Sequence, residues 1–238
     1  MRSDLFASGM VGQPGHVFTA QNAKTCRVSL TDTHVLAKAG SMIAYDGFVE
    51  FAWERPNIEQ ALLQQYTKEG MLLMRASGRG DLFLADSSRD VHLLYLEGEG
   101  LTLNGSSVLA FEPSIQWSVA RLQAPMAIST QGMWNVVLHG TGWVAITSVG
   151  PPVVLAVGPQ SRVFVDPDAI IAWSTTLRLT FEQAVILTSA WMPQGPSGEE
   201  LQLRVEGQGG YVLVQPDERP SRRQPAYPAP SWSTGRRR

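Results

Sequence analysis

Two sequence patterns each occur three times in this chain of 238 residues. In the first, a β-rich tetrapeptide leads through a Gly or Pro turn into a strand with a closing aromatic, at residues 35–46, 108–119 and 163–175. In the second, two strands flank a Gly-x-Gly, at residues 72–86, 136–149 and 201–216. Such spacing indicates a small β module used three times. We predict pseudo-repeats over about residues 26–86, 91–150 and 152–216, within one domain of residues 1–216.

The dominant hydrophobic period is two residues, which is typical of β-strands. Leu201, Leu203 and Val205 alternate with polar residues, which indicates a strand with one wet face. Residues 91–96 are largely apolar on both faces, as expected inside a sandwich. Asn104-Gly105 between two apolar runs predicts a hairpin, because both residues tolerate positive φ. The predicted fold class is therefore an all-β sandwich.

One segment within the domain and one at its end depart from the β pattern. Residues 57–69 follow a proline, offer Asn57 as N-cap and stop at Gly70, which predicts a short helix. This helix either lies on the sheet edge or binds a partner or membrane surface. Residues 217–238 hold six arginines among prolines and serines, so we predict a disordered basic tail. The tail either only solubilises the chain or makes a weak contact with RNA or anionic lipid, to which Trp232 would contribute.

Charge and hydropathy narrow the class of protein. Residues 1–216 carry 13 basic and 19 acidic residues, a net charge of −6, which argues against nucleic-acid binding. The longest apolar stretch, residues 143–157, contains Gly and Pro and cannot form a transmembrane helix. The start of the chain lacks the apolar run of a secretory signal. We therefore expect a cytoplasmic protein.

The Gly-x-Gly elements resemble nucleotide-binding motifs but lack the rest of them. No helix start follows, and no Gly-Lys-Ser/Thr is present. We predict instead that they sit between strands and permit bulges or sharp turns at sandwich corners. The predicted structural glycines are Gly78, Gly80, Gly98, Gly100, Gly140, Gly142, Gly207 and Gly209.

No catalytic, cofactor or metal constellation is evident. The histidines are scattered, and the strand neighbours of His92 and His139 are apolar, which favours hydrogen-bonded interior or interface residues. We predict that the single cysteine, Cys26, is a small buried residue of a strand. We predict that the acidic pairs Glu97/Glu99 and Asp166/Asp168 are exposed to solvent, with the second pair in a turn. We predict no catalytic residue, no cofactor and no metal site.

Five ordered segments resemble the altered inheritance of mitochondria protein family: residues 40–51 (GSMIAYDGFVEF), 94–117, 140–155, 164–178 and 197–216. The opening MRSDLF and the stretch QNAKTCRVSL are similar to bacterial members. The resemblance covers roughly residues 20–216. Two segments depart from it: residues 57–69 replace a Gly-rich linker, and residues 180–196 are unusually apolar.

The resemblance implies a fold of the tryptophan RNA-binding attenuation protein-like superfamily, which forms rings of β-sandwich subunits. A homotrimer is the expected assembly, with Trp117, Trp143 and Trp173 as candidate interface aromatics. Eukaryotic relatives are associated with mitochondrial organisation, and the family brings no established activity or cofactor. The leading interpretation is a non-enzymatic scaffold or binding protein whose protein partner the sequence does not name. A ligand or nucleic-acid binder would need convergent arginines, at Arg79, Arg121, Arg162 and Arg178; a cupin-like enzyme would need a histidine beside a carboxylate.

Overall fold

The computed structural model describes residues 16–54, 72–121, 134–183 and 201–217. The predicted helix at residues 57–69, most of the apolar segment 180–196 and the basic tail beyond residue 217 lie outside these ranges. The described part of the chain is built from strands, with one 3-10 turn at Gly105–Ser107. The prediction of an all-β, sandwich-like fold is confirmed.

The described residues form fourteen strands in two antiparallel sheets. The large sheet has the order β3-β4-β2-β6-β8-β5-β11-β14-β9, with β1 also pairing with β2 and β7 with β8; the small sheet has the order β10-β13-β12. The strands are β1 (Phe18–Asn22), β2 (Thr25–Lys38), β3 (Met42–Trp53), β4 (Leu73–Leu84), β5 (Asp90–Asn104), β6 (Val108–Phe111), β7 (Gln116–Arg121), β8 (Trp134–Ser148), β9 (Val153–Val157), β10 (Val163–Val165), β11 (Ile170–Ser174), β12 (Arg178–Gln183), β13 (Leu201–Glu206) and β14 (Gly210–Val214).

Three apolar clusters lie along the chain. The first packs β2 and β4 around Leu30, Leu82 and Cys26, which is fully buried as the sequence predicted. The second packs β5 and β8 around Leu103 and Leu138. The third, smaller cluster is built by strands from β9 onward. The β13 alternation holds, since Leu203 and Val205 are buried in this third cluster.

The hairpin predicted at Asn104-Gly105 is wrong. Asn104 has an extended backbone, with φ −64°, and its side-chain oxygen accepts hydrogen bonds from the Ser106 backbone N–H and hydroxyl. The chain therefore turns through a capped 3-10 helix instead of a tight two-residue turn. As a result β6 crosses to the far side of β8, which lies between β5 and β6.

The placement predicted for the Gly-x-Gly elements is also corrected. Of the eight glycines, Gly78 and Gly80 lie inside β4, Gly98 and Gly100 inside β5, and Gly140 and Gly142 inside β8; Gly207 and Gly209 lie between β13 and β14. Positive φ at most of these positions lets the strand bend while its hydrogen-bonded ladder continues on both sides of the bend. Long bent strands therefore replace the pairs of shorter strands expected from the sequence.

Candidate interaction surface

β3 exposes nearly all of its side chains to solvent, although most of them are apolar. Phe48 is 87% exposed and Trp53 is 69% exposed, and the exposed set also includes Met42, Ile43, Tyr45 and Phe51. Single exposed apolar residues are ordinary on protein surfaces, but a contiguous apolar set marks an interaction site. We call these six side chains the β3 surface.

The β3 surface is shaped by a sharp bend at three glycines. A Cβ on Gly78 would lie 2.1 Å from the Phe48 carbonyl oxygen, and one on Gly80 would lie 2.0 Å from the Asp46 carbonyl oxygen. Gly47, with φ +101°, lies against the same stretch of β4. Only glycine allows two backbones to approach this closely with these dihedral angles.

The bend brings together two aromatic rings that a straight strand would separate. Tyr45 and Phe51 are six residues apart, which is about 20 Å along an extended strand. Their ring centroids are 5.5 Å apart with an interplanar angle of 67°, an edge-to-face contact. This contact holds the two arms of β3 on either side of Gly47 at a fixed angle. A small apolar depression of about 200 Å³ lies beside Phe51 and Trp53, below the usual size of a ligand pocket.

The outer edge of β3 carries no partner strand among the described residues, because β3 pairs only with β4. Toward the other end of the described chain, β9 pairs with β14 alone among the described strands, and β10 with β13 alone. These edge strands also expose apolar side chains, namely Val153, Val154 and Phe164. An open apolar edge is a template for pairing with another chain.

A part-buried ion pair fixes β2 against β4 behind the β3 bend. The Arg27 guanidinium lies 2.6 Å from the Asp81 carboxylate, which also accepts a hydrogen bond from the Ser29 hydroxyl at 2.8 Å. The hydrogen bond from Arg27 holds the pKa of Asp81 below its ordinary value, against the opposing effect of burial. Asp81 directly follows Gly80, so this pair locks the strand next to the bend.

A second polar cluster ties β5, β8 and the segment after β14 together. Arg89 donates to the carbonyl oxygens of Ser106 and Thr147, both at 3.2 Å, and to the side-chain oxygens of Ser107 and Gln215, both at 3.3 Å. Burial lowers the pKa of Arg89, although neighbouring carboxylates oppose the shift. All four acceptors belong to the protein's own framework, so this arginine is a structural clamp.

The arrangement of His92 and Ser148 does not suit nucleophilic catalysis. His92 Nε2 lies 2.7 Å from Ser148 Oγ, but Ser148 donates its proton to the Gly150 carbonyl oxygen at 2.6 Å. The imidazole therefore donates to the hydroxyl, the reverse of what activates a serine. Burial lowers the pKa of His92, and the nearby Asp90 opposes this shift. Ser148 is fully buried, whereas His139 is exposed on β8.

The three candidate interface tryptophans occupy different environments. Trp117 is half-buried against the second cluster, and Trp143 is half-buried with its ring 5.1 Å from that of Tyr95. Trp173 is only 5% exposed and packs in the third cluster. The expectation that Trp173 lies at a subunit contact is therefore corrected: its own chain already covers it. The structure exposes Phe48 and Trp53 far more, and neither is among the three candidate interface aromatics predicted from the sequence.

The four arginines that a binder would need lie in separate elements. Arg79 sits at the β4 bend and forms an ion pair with Asp32. Arg162 is exposed just before β10, and Arg178 lies in β12 of the small sheet. The side chain of Arg121 is outside the described set.

The two predicted acidic pairs make local backbone hydrogen bonds. The Asp166 carboxylate accepts from the Asp168 backbone N–H at 2.7 Å, which closes the turn predicted there. Glu97 and Glu99 are exposed, and the Glu99 carboxylate accepts from the Glu97 backbone N–H. Within the described ranges, no three His, Cys, Asp or Glu residues group as metal ligands would. Nor does any helix in these ranges have the length and hydropathy needed to cross a bilayer.

Comparison with known proteins identifies a family and a similar fold. Residues 17–217 match the family model described as mitochondrial biogenesis AIM24. The fold is similar to the crystal structure of a protein from Streptococcus pyogenes, with a TM-score of 0.61 and 18% identity, over 87% of this chain and 92% of that chain. At this identity the structural likeness concerns the fold alone. A search of curated protein sequences found no match.

Proposed function

This chain belongs to the AIM24 family, whose description is mitochondrial biogenesis, and from that membership and the exposed strand edges we propose that it is a non-enzymatic scaffold that assembles into a homotrimer. The family assignment confirms the resemblance drawn from the sequence. The assembly, the scaffold role and a cytoplasmic location are the proposal's own additions. The location rests on the single buried Cys26, which requires no oxidising compartment.

One observation carries the proposal: both ends of the strand order present apolar, unpaired edges among the described residues. Phe48, Trp53 and Val154 are each more than half exposed. Because apolar surface removed from water contributes about 25 cal/mol per Å², covering several such side chains is a strong drive to association. A surface of this kind suits a protein that works by contacts with other chains.

The chemistry of the described side chains supports a non-enzymatic role. The histidine that lies next to a hydroxyl group, His92, is arranged as a hydrogen-bond donor to it. Burial raises the pKa of Cys26 to about 12, which keeps its thiol protonated and unreactive at neutral pH. The alternative interpretation is a small-ligand or nucleic-acid binder that uses grooves between β modules, but the separate positions of Arg79 and Arg178 do not favour it.

Native mass spectrometry of the full chain, with an absorbance ratio to detect nucleic acid, tests the proposal. A species of three times the chain mass, free of added mass, is the expected result. A monomer that persists over a hundredfold range of concentration would overturn the assembly. Reproducible bound nucleic acid would replace the scaffold role with the binder.

A further inference from the structure

The strand pairings follow one scheme three times. In the first unit, β4 lies between β2 and β3. In the second unit, β8 lies between β5 on one side and β6 and β7 on the other. In the third unit, each long strand is divided: β14 lies between β9 and β11, and β13 lies between β10 and β12. Each unit therefore has a central strand, an earlier flanking strand and a later flanking strand.

Adjacent units are joined by the same antiparallel junction in the same register. Leu36 of the first unit opposes Phe111 of the second, and Thr102 of the second opposes Trp173 of the third. On one side of the junction, Leu36 and Thr102 each pair with the central-strand residue three positions before a Gly-x-Gly. The earlier flanking strand of one unit thus always meets the later flanking strand of the next.

The other side of the junction is equally regular. Phe111 and Trp173 each follow an alanine, and each opposes the central-strand residue two positions beyond a positive-φ glycine, Gly142 or Gly210. The alanines before Phe111 and Trp173 are also paired across the junction: Ala110 faces Ala37, and Ala172 faces Leu103.

The same two half-junctions recur, unpaired, at the two ends of the chain. Phe164 in β10 pairs with Arg204, three positions before Gly207, so it corresponds to Leu36 and Thr102. Tyr45 in β3 follows an alanine and opposes Leu82, two positions beyond Gly80, so it corresponds to Phe111 and Trp173. Within the described residues, β3 and β10 belong to different sheets and do not pair.

We infer that β10 of one copy pairs antiparallel with β3 of the next copy, with Phe164 opposite Tyr45 and Val165 opposite Ala44. This inference rests on the proposed function, because it specifies how the chains of the oligomer join. The contact is head-to-tail, and it repeats around a closed ring. Each ring then continues the internal junction from chain to chain, and the β3 and β10 edges are paired at that junction.

Burial agrees with this arrangement. At the two internal junctions the opposed side chains are 6% and 0% exposed for Leu36 and Phe111, and 8% and 5% for Thr102 and Trp173. At the ends, Phe164 is 46% exposed and Tyr45 is 49% exposed. The same structural positions are thus covered where a neighbouring unit is present and open where it is not.

Charge favours this partner over a two-fold pairing of β3 with itself. In the inferred register the uncharged Val163 lies directly opposite Asp46, so no like charge faces that carboxylate. An antiparallel β3–β3 pair centred on Phe48 would instead put Asp46 directly opposite Glu50 of the other copy. Like charges opposed in this way destabilise a strand pair.

Paired cysteines test the junction in the full chain. Directly opposed residues of antiparallel strands have Cβ atoms about 4.5–5.5 Å apart, close to the range of a disulfide. Mild oxidation of Tyr45→Cys/Phe164→Cys is expected to give reducible covalent multimers that end at the ring size. An equal mixture of the two single variants is expected to give covalent dimers only. Cys26 is 0% exposed and stays silent.

The controls separate this junction from the assembly itself. Tyr45→Cys/Tyr211→Cys places the second thiol on an exposed residue away from the junction and is expected to remain uncross-linked. Dimers from Tyr45→Cys alone would overturn the inference in favour of a two-fold β3 contact. A native oligomer of the double variant that does not cross-link would refute the junction but keep the oligomer, whereas a monomer in native mass spectrometry would refute the proposed assembly too.

Discussion

Gly80→Ala is the substitution for which the bend of β3 and β4 predicts a large loss of stability. The added Cβ would lie 2.0 Å from the Asp46 carbonyl oxygen and 3.0 Å from the Gly47 Cα. Real Cβ contacts are essentially never below 3.0 Å, and every neighbouring atom here is backbone, so β3 has to move by about 1 Å. The φ of +147° at Gly80 adds strain that a side chain cannot avoid.

The magnitude follows from these two effects. A non-glycine residue in this backbone region costs about 1–3 kcal/mol. Moving β3 also weakens ladder hydrogen bonds next to the bend, each worth about 1 kcal/mol. We expect a total loss of about 3–5 kcal/mol. For a chain of this size, where 1 kcal/mol shifts Tm by about 2–4 °C, the expected decrease in Tm is roughly 6–20 °C.

Two other glycines provide matched controls in the same assay, which is thermal unfolding followed by circular dichroism at one fixed protomer concentration. Gly209→Ala meets nothing within 4 Å, and this glycine lacks the positive φ, so its Tm is expected to stay near that of the parent. Gly98→Ala, with φ +94° and its nearest contact 3.9 Å away, isolates the backbone strain and is expected to lie between the two. If Gly80→Ala unfolds at the same temperature as Gly209→Ala, the steric argument is wrong.

Two pH-dependent predictions follow from the polar contacts, and urea unfolding at a series of pH values checks both. The folded pKa of Asp81 is lowered, so its pairing with Arg27 stabilises the fold above the ordinary carboxyl pKa and is lost as pH falls below about 4. Asp81→Asn should be less stable at neutral pH and should lose less stability on acidification; an unchanged acid slope contradicts this. The folded pKa of His92 is lowered too, so unfolding takes up a proton below about pH 6.5 and stability falls there. His92→Gln should flatten that fall, and an equally steep fall in the variant would show that His92 is not its source.

The strand content could be predicted because it depends on local sequence. Alternation at positions such as Leu203 and Val205 reports one buried face whichever strand pairs with β13. The pairing order could not be predicted in the same way. Asn104-Gly105 fits a hairpin turn as well as a capped 3-10 turn, and only the long-range contacts of β6 with β8 and β2 decide between them.

The glycines show where a sequence argument identifies a position but not its geometry. The sequence predicts Gly78 and Gly80 as structural glycines, and in the structure backbone carbonyl oxygens lie directly against both. A glycine at positive φ can either end one strand before the next begins or bend a strand that continues, and the spacing of the glycines is the same in both cases. The length of β4, which runs on to Leu84 without interruption, is what distinguishes them.

Exposure of the aromatic residues could not be predicted from composition, because hydrophobicity does not say which strand will cover a side chain. Trp173 and Phe48 are both large and apolar, yet Trp173 is 5% exposed and Phe48 is 87% exposed. Trp173 lies at an internal junction, opposite Thr102 of β5, whereas β3 pairs only with β4 among the described strands. A signal was nonetheless present, since Tyr45, Phe51 and Trp53 lie in the same strand as Phe48.

An exposed apolar strand edge promotes aggregation unless it pairs with one partner only, and β3 has features that restrict its partner. Its sharp bend at Gly47 prevents a long straight ladder with an arbitrary strand. Asp46 and Glu50 oppose pairing of β3 with itself, while the uncharged β10 strand with Arg162 at its start does not meet that repulsion. The apolar residues therefore supply the drive to associate, and the bend and charges restrict the partner. Because each open edge then accepts only the opposite end of another copy, association is restricted to a head-to-tail series of the kind that the proposed ring closes.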